Sequence, residues 1–286
     1  MSAGTGGGER TENPTVTDGS SRSSSDLGPA ACYTMNRKTR GLALIFNQEY
    51  FEVNMSTRRG TRVDRNNLEK TLTGLGFEVL CYNDYTKAKV LSEITKAATA
   101  DHSEADCFLL AFMSHGEDEN VYASDGQISI RDITAMFKGT ECPSLAGKPK
   151  IFIWQACRGR EFDDPVTACS ATESEENEVE AGAVQTLPAG ADFIMCYSVA
   201  EGYYSFRDTA LGSWFIQDLC EVLQQFGDSL EFVDLLTLVN RKVSMRSVEN
   251  PQDPKAFGKK QMPCFASMLT KQLYFHKKSN SSRPLC

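Results

Sequence analysis

The sequence predicts an α/β fold in which a mostly parallel sheet is covered by helices on both faces. Apolar runs of strand length alternate with longer segments of helical periodicity. The apolar runs are continuous rather than interrupted at every second residue, which is typical of strands buried on both faces. Because sites in such folds form at the carboxyl ends of strands, the residues that follow each strand are expected to carry the chemistry.

The first half of the chain contains four predicted strands and three predicted helices. GLALIFN at 41–47 has the character of a buried strand, whereas residues 61–76 place Leu68, Leu72 and Leu75 at helical spacing and end in glycines. Further strands are predicted at 77–83, 107–116 and 149–155, and further helices at 86–100 and 130–138. The last two strands end in SHG and QACRG, where apolar residues give way to polar ones.

The second half begins with an acidic segment that we expect to be an exposed linker open to proteolysis. Residues 161–206 contain no Lys or Arg, and 161–180 contain eight acidic residues among Ser, Thr and Ala. Beyond it we predict a strand at 191–200, helices at 212–226 and 229–246, and a last strand at 267–275. Residues 1–32 are rich in Gly, Ser and Thr and predict a short flexible leader.

Composition narrows the class of protein and of partner. The chain has 286 residues, 41% of them hydrophobic, and a net charge of -8. An acidic chain without a Lys/Arg cluster argues against nucleic acid and favours peptide or protein partners. No signal peptide and no apolar run of roughly 18 residues is present, so we expect no membrane association and a cytoplasmic location. The ten cysteines should then be mostly reduced, and most of them small core residues.

Neither a metal nor another cofactor is predicted. No pair of cysteines or histidines has the CxxC or HxxxH spacing of a zinc site. Of the three histidines, His102 and His276 lie in polar surroundings and are expected at the surface. His115, at the end of a predicted strand, is the natural catalytic candidate.

Cys157 and His115 both follow predicted strands and together could form a thiol–imidazole pair. A cysteine is nucleophilic as the thiolate, which a neighbouring histidine can generate. The backbone N–H groups of Gly116 and Cys157 could bind the oxyanion of the reacting carbonyl, since Gly116 has no Cβ to keep a substrate away. With ten cysteines and three histidines, a chance pairing remains open on these residues alone.

Several motifs in order resemble the caspase family and decide between these interpretations. The most specific is QACRG at 155–159, with His115 upstream of it. The others are TRRGT at 57–61, MSHGE at 113–117, ADF at 191–193, YYSFR at 203–207, GSWF at 212–215 and KKQMPC at 259–264. The resemblance covers roughly 33–276, and the short leader resembles the executioner branch. It implies a three-layer caspase-like fold with a six-stranded sheet and a zymogen of a cysteine endopeptidase that cuts after Asp in apoptosis.

The same resemblance implies a substrate pocket. It places Arg58, Arg207 and Gln155 around an aspartate side chain, and a guanidinium group suits a carboxylate because it binds it bidentately. Arg59 adjoins Arg58, so a register one residue later stays open. Ser205, Phe206 and Trp214 match positions that line the neighbouring subsites, where the backbone at 205–207 can pair with an extended peptide.

The resemblance also implies subunits, partners and processing sites. We expect a prodomain at 1–32, a large subunit at 33–163, a linker at 164–188 and a small subunit at 189–286, assembled as a homodimer of large/small heterodimers. SMLTKQLYF at 267–275 would pair across the two-fold axis. An upstream protease would cut the linker or the leader at one of six candidates: Asp163, Asp164, Glu173, Glu180, Asp18 or Asp26. Proline follows Asp164 and makes that bond a poor substrate.

Two departures and two alternatives qualify this prediction. The loop 247–260 has Phe257 as its only aromatic residue, and Asp208 would repel an acid four residues before the cut, so the far-subsite preference stays open.

A catalytically silent homologue acting as a regulatory binding partner would be expected to lose Cys157, His115 or a pocket arginine, and none is lost. A protease that cuts after Arg or Lys would need acidic pocket residues, which the two arginines argue against.

Overall fold

The computed structural model describes residues 31–165, 189–249 and 254–278. Thirteen strands and five α-helices lie within these ranges. The strands are β1 (Leu42–Asn47), β2 (Glu78–Asn83), β3 (Phe108–Met113), β4 (Gly116–Glu117), β5 (Asn120–Ala123), β6 (Gly126–Ser129), β7 (Lys150–Gln155), β8 (Gly159–Glu161), β9 (Phe193–Tyr197), β10 (Gly202–Tyr203), β11 (Arg207–Asp208), β12 (Gly212–Ser213) and β13 (Cys264–Ser267). The helices are α1 (Thr61–Gly74), α2 (Lys87–Thr99), α3 (Ile130–Ala135), α4 (Trp214–Phe226) and α5 (Phe232–Met245), with short 3-10 turns at Pro143–Leu145 and Pro254–Ala256.

The central sheet has six strands in the order β13-β9-β7-β3-β1-β2. Every neighbouring pair is parallel except the pair of β13 and β9, which is antiparallel. The other strands form three smaller sheets, each of two or three strands. The predicted α/β fold with a mostly parallel six-stranded sheet is therefore confirmed.

Both faces of the sheet are buried, which explains the continuous apolar runs in the sequence. Successive residues of a strand point to opposite faces. In β1, Ala43 and Ile45 pack in a cluster with the apolar faces of α1, α4 and α5. Leu44 and Phe46 pack on the other side, in a cluster with α2 and α3. A fully buried Leu, Ile or Phe side chain contributes about 1.5–3 kcal/mol, so both layers add substantially to stability.

The register of the three central parallel strands sets the position of the site. Asn47, Met113 and Gln155 lie side by side as the last residues of β1, β3 and β7. The pairing extends one residue further, because Ser114 N donates to Gln155 O at 3.0 Å. His115 and Cys157 therefore leave adjacent strands at the same edge of the sheet, two residues beyond a paired position.

The strand predicted at 267–275 is wrong. The edge strand is Cys264–Ser267, paired with β9, and the chain leaves the sheet after Ser267. Leu273 and Phe275 are buried in the cluster around α1, α4 and α5 rather than on the sheet. The backbone N of Leu273 donates to Glu231 Oε1 at 3.0 Å, so a side chain takes the place of a strand partner. Alternating apolar residues satisfy this packing as well as they would satisfy a strand.

The prediction that His102 lies at the surface is also wrong, whereas His276 is exposed as expected. His102 is buried, and its ring packs edge-on against Phe108 at 5.8 Å. Its Nε2 donates to Ala97 O at 2.7 Å. The last carbonyls of a helix have no partner inside the helix, so His102 satisfies one at the end of α2.

The cysteines and helices bear on two further expectations from the sequence. The eight cysteines in the described ranges are free thiols, and four of them are fully buried: Cys107, Cys142, Cys196 and Cys220. Cys81 and Cys264 are partly buried and pack against the core, so most of the described cysteines are core residues, as expected. Within the same ranges, none of the helices combines the length and the apolar character that a bilayer span requires.

Candidate active site

His115, the predicted base, is held by a backbone carbonyl. Its Nε2 lies 2.7 Å from Ser56 O, and its ring packs against Phe51 at 4.9 Å between centroids. A carbonyl oxygen only accepts, so Nε2 carries the proton and Nδ1 keeps a free lone pair. Burial lowers the pKa of His115, and the charges of Arg58 and Arg207 lower it further. The imidazole is therefore neutral at neutral pH, with its basic lone pair on Nδ1.

Cys157, the predicted nucleophile, is half-buried and contacts the backbone of Ser205. Ser205 N donates to Cys157 Sγ at 3.4 Å, and the sulfur lies 3.9 Å from Ser205 O. Burial raises the pKa of Cys157, while the Ser205 N–H and the charges of the two arginines act against this rise. The resting group is thus a thiol.

The two groups are close in the fold but are not hydrogen-bonded to each other in the described structure. Cys157 Sγ contacts Ser205, whereas His115 contacts Ser56. Rotation of the Cys157 side chain would free the thiol from Ser205. Catalytic hydrogen bonds are often long or unformed without substrate, so this resting arrangement is compatible with a thiol–imidazole pair.

Gly116 packs against the segment that carries Cys157. A Cβ at Gly116 would lie 2.7 Å from Cys157 O and 2.8 Å from Ala156 Cβ, well inside van der Waals contact. Only glycine fits at this position without a shift of the backbone. The absence of a side chain thus brings the two strand ends together.

Arg58 and Arg207 meet beside Cys157. Arg58 is buried, and its Nη1 donates to Gln48 O at 2.9 Å and to Thr61 Oγ1 at 2.8 Å. Burial and the charge of Arg207 lower the pKa of Arg58 to about 9, so it stays charged at neutral pH. Burial also lowers the pKa of Arg207. Arg59 is exposed and accepts from Arg207 Nε only through its carbonyl, at 2.9 Å, so the register one residue later does not lead into the site.

Two buried polar atoms at this place have no hydrogen-bond partner in the described part of the chain. They are Arg58 Nε and Gln155 Oε1. The Gln155 amide contacts Ser205 Oγ through Nε2 at 2.9 Å. Because a hydroxyl both donates and accepts, this contact persists when the amide turns over, and its NH2 then takes the position of Oε1. Buried polar groups are nearly always paired, so these two atoms are available to a polar ligand.

A row of aromatic rings lies next to this polar centre. Phe206 packs against Trp214 at 5.1 Å, as expected for residues that line one cleft. Phe162 stacks on Phe206 at 6.1 Å and contacts Tyr204 at 5.5 Å. Sequence reasoning missed Phe162 and Tyr204, although Tyr204 stands inside the YYSFR motif. Phe162 was missed because it lies near the start of the acidic segment, which is predicted to be an exposed linker.

Comparison with known proteins gives this arrangement a family. Residues 40–274 match the Caspase domain family. Caspase-6 of Gallus gallus is 57% identical over 88% of this chain and 85% of its own, and Caspase-6 of Mus musculus is 54% identical over 91% and 98%. The crystal structure of Caspase-1 from Spodoptera frugiperda superposes with a TM-score of 0.80 at 38% identity, over 88% of this chain and 97% of the other. The chain belongs to the caspase family.

This caspase is a cysteine endopeptidase that cleaves proteins after aspartate, and its relatives place it among the executioner caspases of apoptosis. Its fold is the three-layer caspase fold. The family also implies protein substrates and a dimeric assembly. The resemblance inferred from QACRG and the accompanying motifs is confirmed.

Asp208 and Phe257, the two departures noted in the sequence, are both exposed. Asp208 Oδ1 accepts from the backbone N atoms of Ala210 and Leu211 at 2.7 and 2.8 Å, which lowers the pKa of Asp208 and keeps it charged. Phe257 is 67% exposed. Asp208 therefore adds a fixed negative charge close to Arg207 in the chain, while Phe257 packs little against its surroundings.

Two of the six processing candidates lie in the described structure. Asp163 forms a bridge with Lys260, whose N donates to Asp163 O at 3.0 Å, and Asp164 pairs with Lys259. Asp18, Asp26, Glu173 and Glu180 fall outside the described ranges.

Proposed function

We propose that Cys157 is the nucleophile, that His115 is its base, and that Arg58, Arg207 and Gln155 bind the aspartate before the scissile bond. The unpaired atoms Arg58 Nε and Gln155 Oε1 carry this proposal. They are buried beside a second guanidinium group and near the thiol. A substrate carboxylate would accept from Arg58 Nε and, once the Gln155 amide has turned over, from its NH2 group, and it would offset the repulsion between the two arginines.

The reaction follows from the positions of the protons. His115 Nδ1 takes the proton of Cys157 Sγ, and the thiolate attacks the scissile carbonyl carbon. The N–H groups of Gly116 and Cys157 stabilise the oxyanion, the imidazolium protonates the leaving amine, and water then hydrolyses the thioester. The Ser56 carbonyl holds the Nε2–H tautomer throughout, a role that has no signature in the sequence.

The aromatic row supports a role in the neighbouring subsites. We propose that Ser205, Phe206 and Trp214 line them, with Phe162 and Tyr204 extending the wall. Ser205 is buried and contacts Gln155, so it links these subsites to the aspartate pocket. The fixed charge of Asp208 disfavours an acidic residue four positions before the cut and favours an uncharged one.

Activation is proposed to separate the large subunit at 33–163 from the small subunit at 189–286 by a cut within the linker at 164–188. The prodomain at 1–32 would be lost after Asp18 or Asp26. Because Asp163 is paired with Lys260 and Pro165 follows Asp164, both bonds are disfavoured in the intact chain. We therefore place the activating cut beyond 165, with Glu173 and Glu180 as candidates for an upstream protease.

The active form is proposed to be a homodimer of large/small heterodimers in the cytoplasm. The catalytically silent alternative is disfavoured because Cys157, His115 and Arg58 are all present at the site.

The testing experiment bypasses activation by co-expressing residues 27–180 with 181–286. Peptides that differ only in Asp, Glu, Asn or Arg before the scissile bond are assayed, with Cys157→Ser as control and Arg58→Lys as a probe of the pocket. We expect cleavage after Asp, a loss of at least about 1000-fold in Cys157→Ser, and a large rise in KM in Arg58→Lys. Equal cleavage by Cys157→Ser, or an unchanged KM in a well-folded Arg58→Lys, would contradict the assignment.

A further inference from the structure

We infer that Asp64 is a positioning residue that fixes the two arginines of the aspartate pocket relative to each other. This inference rests on the proposed pocket of Arg58 and Arg207. Asp64 lies in the first turn of α1, before the linker, but its partners belong to the segment after it. No sequence motif points to it.

Both carboxylate oxygens of Asp64 are bound by one serine. Asp64 is fully buried; its Oδ1 accepts from Ser213 N at 2.7 Å, and its Oδ2 accepts from Ser213 Oγ at 2.6 Å. The neighbouring Gly212 has φ 92°, and a Cβ there would lie 2.2 Å from Asp64 Oδ1. Glycine is thus required both by the backbone conformation and by the approach of the carboxylate. A buried carboxylate with two such bonds forms a rigid joint between α1 and β12.

Arg207 is attached to one side of this joint. Strands β11 and β12 are antiparallel, with Arg207 opposite Ser213 and Asp208 opposite Gly212. The short ladder is continued by Trp214 N, which donates to Phe206 O at 3.3 Å. A shift of Ser213 would therefore move Arg207 with it.

Arg58 is attached to the other side. Its Nη1 donates to Thr61 Oγ1, and Thr61 is the first residue of α1. Thr61 Oγ1 donates in turn to Asn47 Oδ1 at 2.6 Å, which fixes the helix start to the end of β1. Asp64 lies less than one turn further along the same helix. Its carboxylate therefore links the helix start that holds Arg58 to the strand pair that holds Arg207.

The charge of Asp64 supports the same role. It raises the pKa of Arg58 and that of Arg207, against the lowering by burial and, for Arg58, by the charge of Arg207. Burial raises the pKa of Asp64 itself to about 6, which leaves it ionised at neutral pH. Its oxygens are occupied by Ser213, so it is not available to bind a cationic substrate.

The test compares Asp64→Asn with Asp234→Asn in the co-expressed enzyme. Asp234 lies in the first turn of α5, as Asp64 does in α1, but it is exposed. In Asp64→Asn, we expect KM for the Asp peptide to rise about 10-fold with kcat changed less than about twofold. The preference for Asp over Glu should fall by a similar factor, because a loosened arginine pair accepts the longer side chain. Asp234→Asn should leave all three values unchanged.

If Asp64→Asn does not fold, a second variant still tests the inference. Ser213→Ala removes one of the two bonds and keeps the carboxylate, so KM should rise in the same direction by a smaller factor of about 3. An unchanged KM and an unchanged Asp/Glu ratio in a folded variant would overturn the inference, as would a loss confined to thermal stability or to kcat. If Arg58→Lys and Arg207→Lys also leave KM unchanged, the pocket itself is wrong, and both proposals fall.

Discussion

At the scale of single residues, Gly116 has no room for a side chain at the site. Gly116→Ala would push Cys157 O and Ala156 away from their present places, since the added Cβ has no room. We expect kcat to fall about 100-fold or more, because both the proposed nucleophile and a proposed oxyanion donor would be displaced. Steady-state kinetics and thermal unfolding of the variant check this.

The matched control for this substitution is Gly126→Ala. Gly126 also lies in a short strand before the linker, but a Cβ there would meet nothing within 4 Å. Its kinetics should equal those of the parent enzyme. If Gly116→Ala retained full activity, the close approach of the two strand ends would not contribute to catalysis.

The environment of His115 predicts the acid limb of the pH profile. The base must be neutral to accept a proton, and burial lowers the pKa of His115 below its ordinary value of 6.5. Activity is therefore retained as the pH falls through 6.5 and is lost only at lower pH. The measurement is kcat/KM of the Asp peptide between about pH 5 and 8, which reports the free enzyme. A limb with its midpoint above 6.5 would contradict the tautomer and burial described here.

The sequence predicted some residues of the site much better than others. Cys157 and His115 follow long apolar strands, and Arg58 and Arg207 stand in recognisable motifs. Ser56 acts through its carbonyl, which any residue possesses, so its side chain carries no signal. Asp64 pairs with a serine far away in the chain, and only the folded structure brings the two together.

At the scale of elements, periodicity located every strand of the central sheet except the last. Helix α4 was predicted from 212 but begins at Trp214, because Gly212 and Ser213 are used in β12. The edge strand was misplaced because 264–267 and 267–275 both contain short apolar stretches. The two segments differ in their partners. Residues 264–267 pair with β9, whereas 267–275 contact Glu231 and the helical layer.

The edge strand β13 predicts where the dimer forms. One side of β13 pairs with β9, and its other side faces no strand within the described chain. An open edge is a template for a second copy, and Ala266 on it is exposed. We expect Ala266→Asp to shift the enzyme toward monomers, because two like charges would meet near the two-fold axis. Sedimentation at micromolar concentration measures this.

Ser92→Asp serves as the control for that experiment, since it adds the same charge on the exposed face of α2. It should leave the mass unchanged. Dimers of undiminished stability in Ala266→Asp would place the interface elsewhere.

At the scale of the whole molecule, the segments before and after the linker share one core. Strands β7 and β9 are parallel neighbours, although the linker separates them in sequence. The polar contacts that join the same two segments include Tyr33 with Asp192, Asp64 with Ser213, and Asp163 with Lys260. Neither segment can complete the central sheet alone, so the two segments must fold together.

This shared sheet changes the order of the unfolding reaction once the linker is gone. An intact chain unfolds in a unimolecular step, whereas two separate chains lose each other on unfolding and must find each other again. In the Ala266→Asp background, which removes the dimer from the comparison, the melting temperature of the cut enzyme should rise with protein concentration. That of the uncut chain should stay constant. Scanning calorimetry over a 100-fold range of concentration measures both, and parallel behaviour would contradict the shared core. After activation, refolding of the enzyme therefore depends on protein concentration. Once the cut enzyme is diluted and unfolded, its two chains must associate again before they can refold.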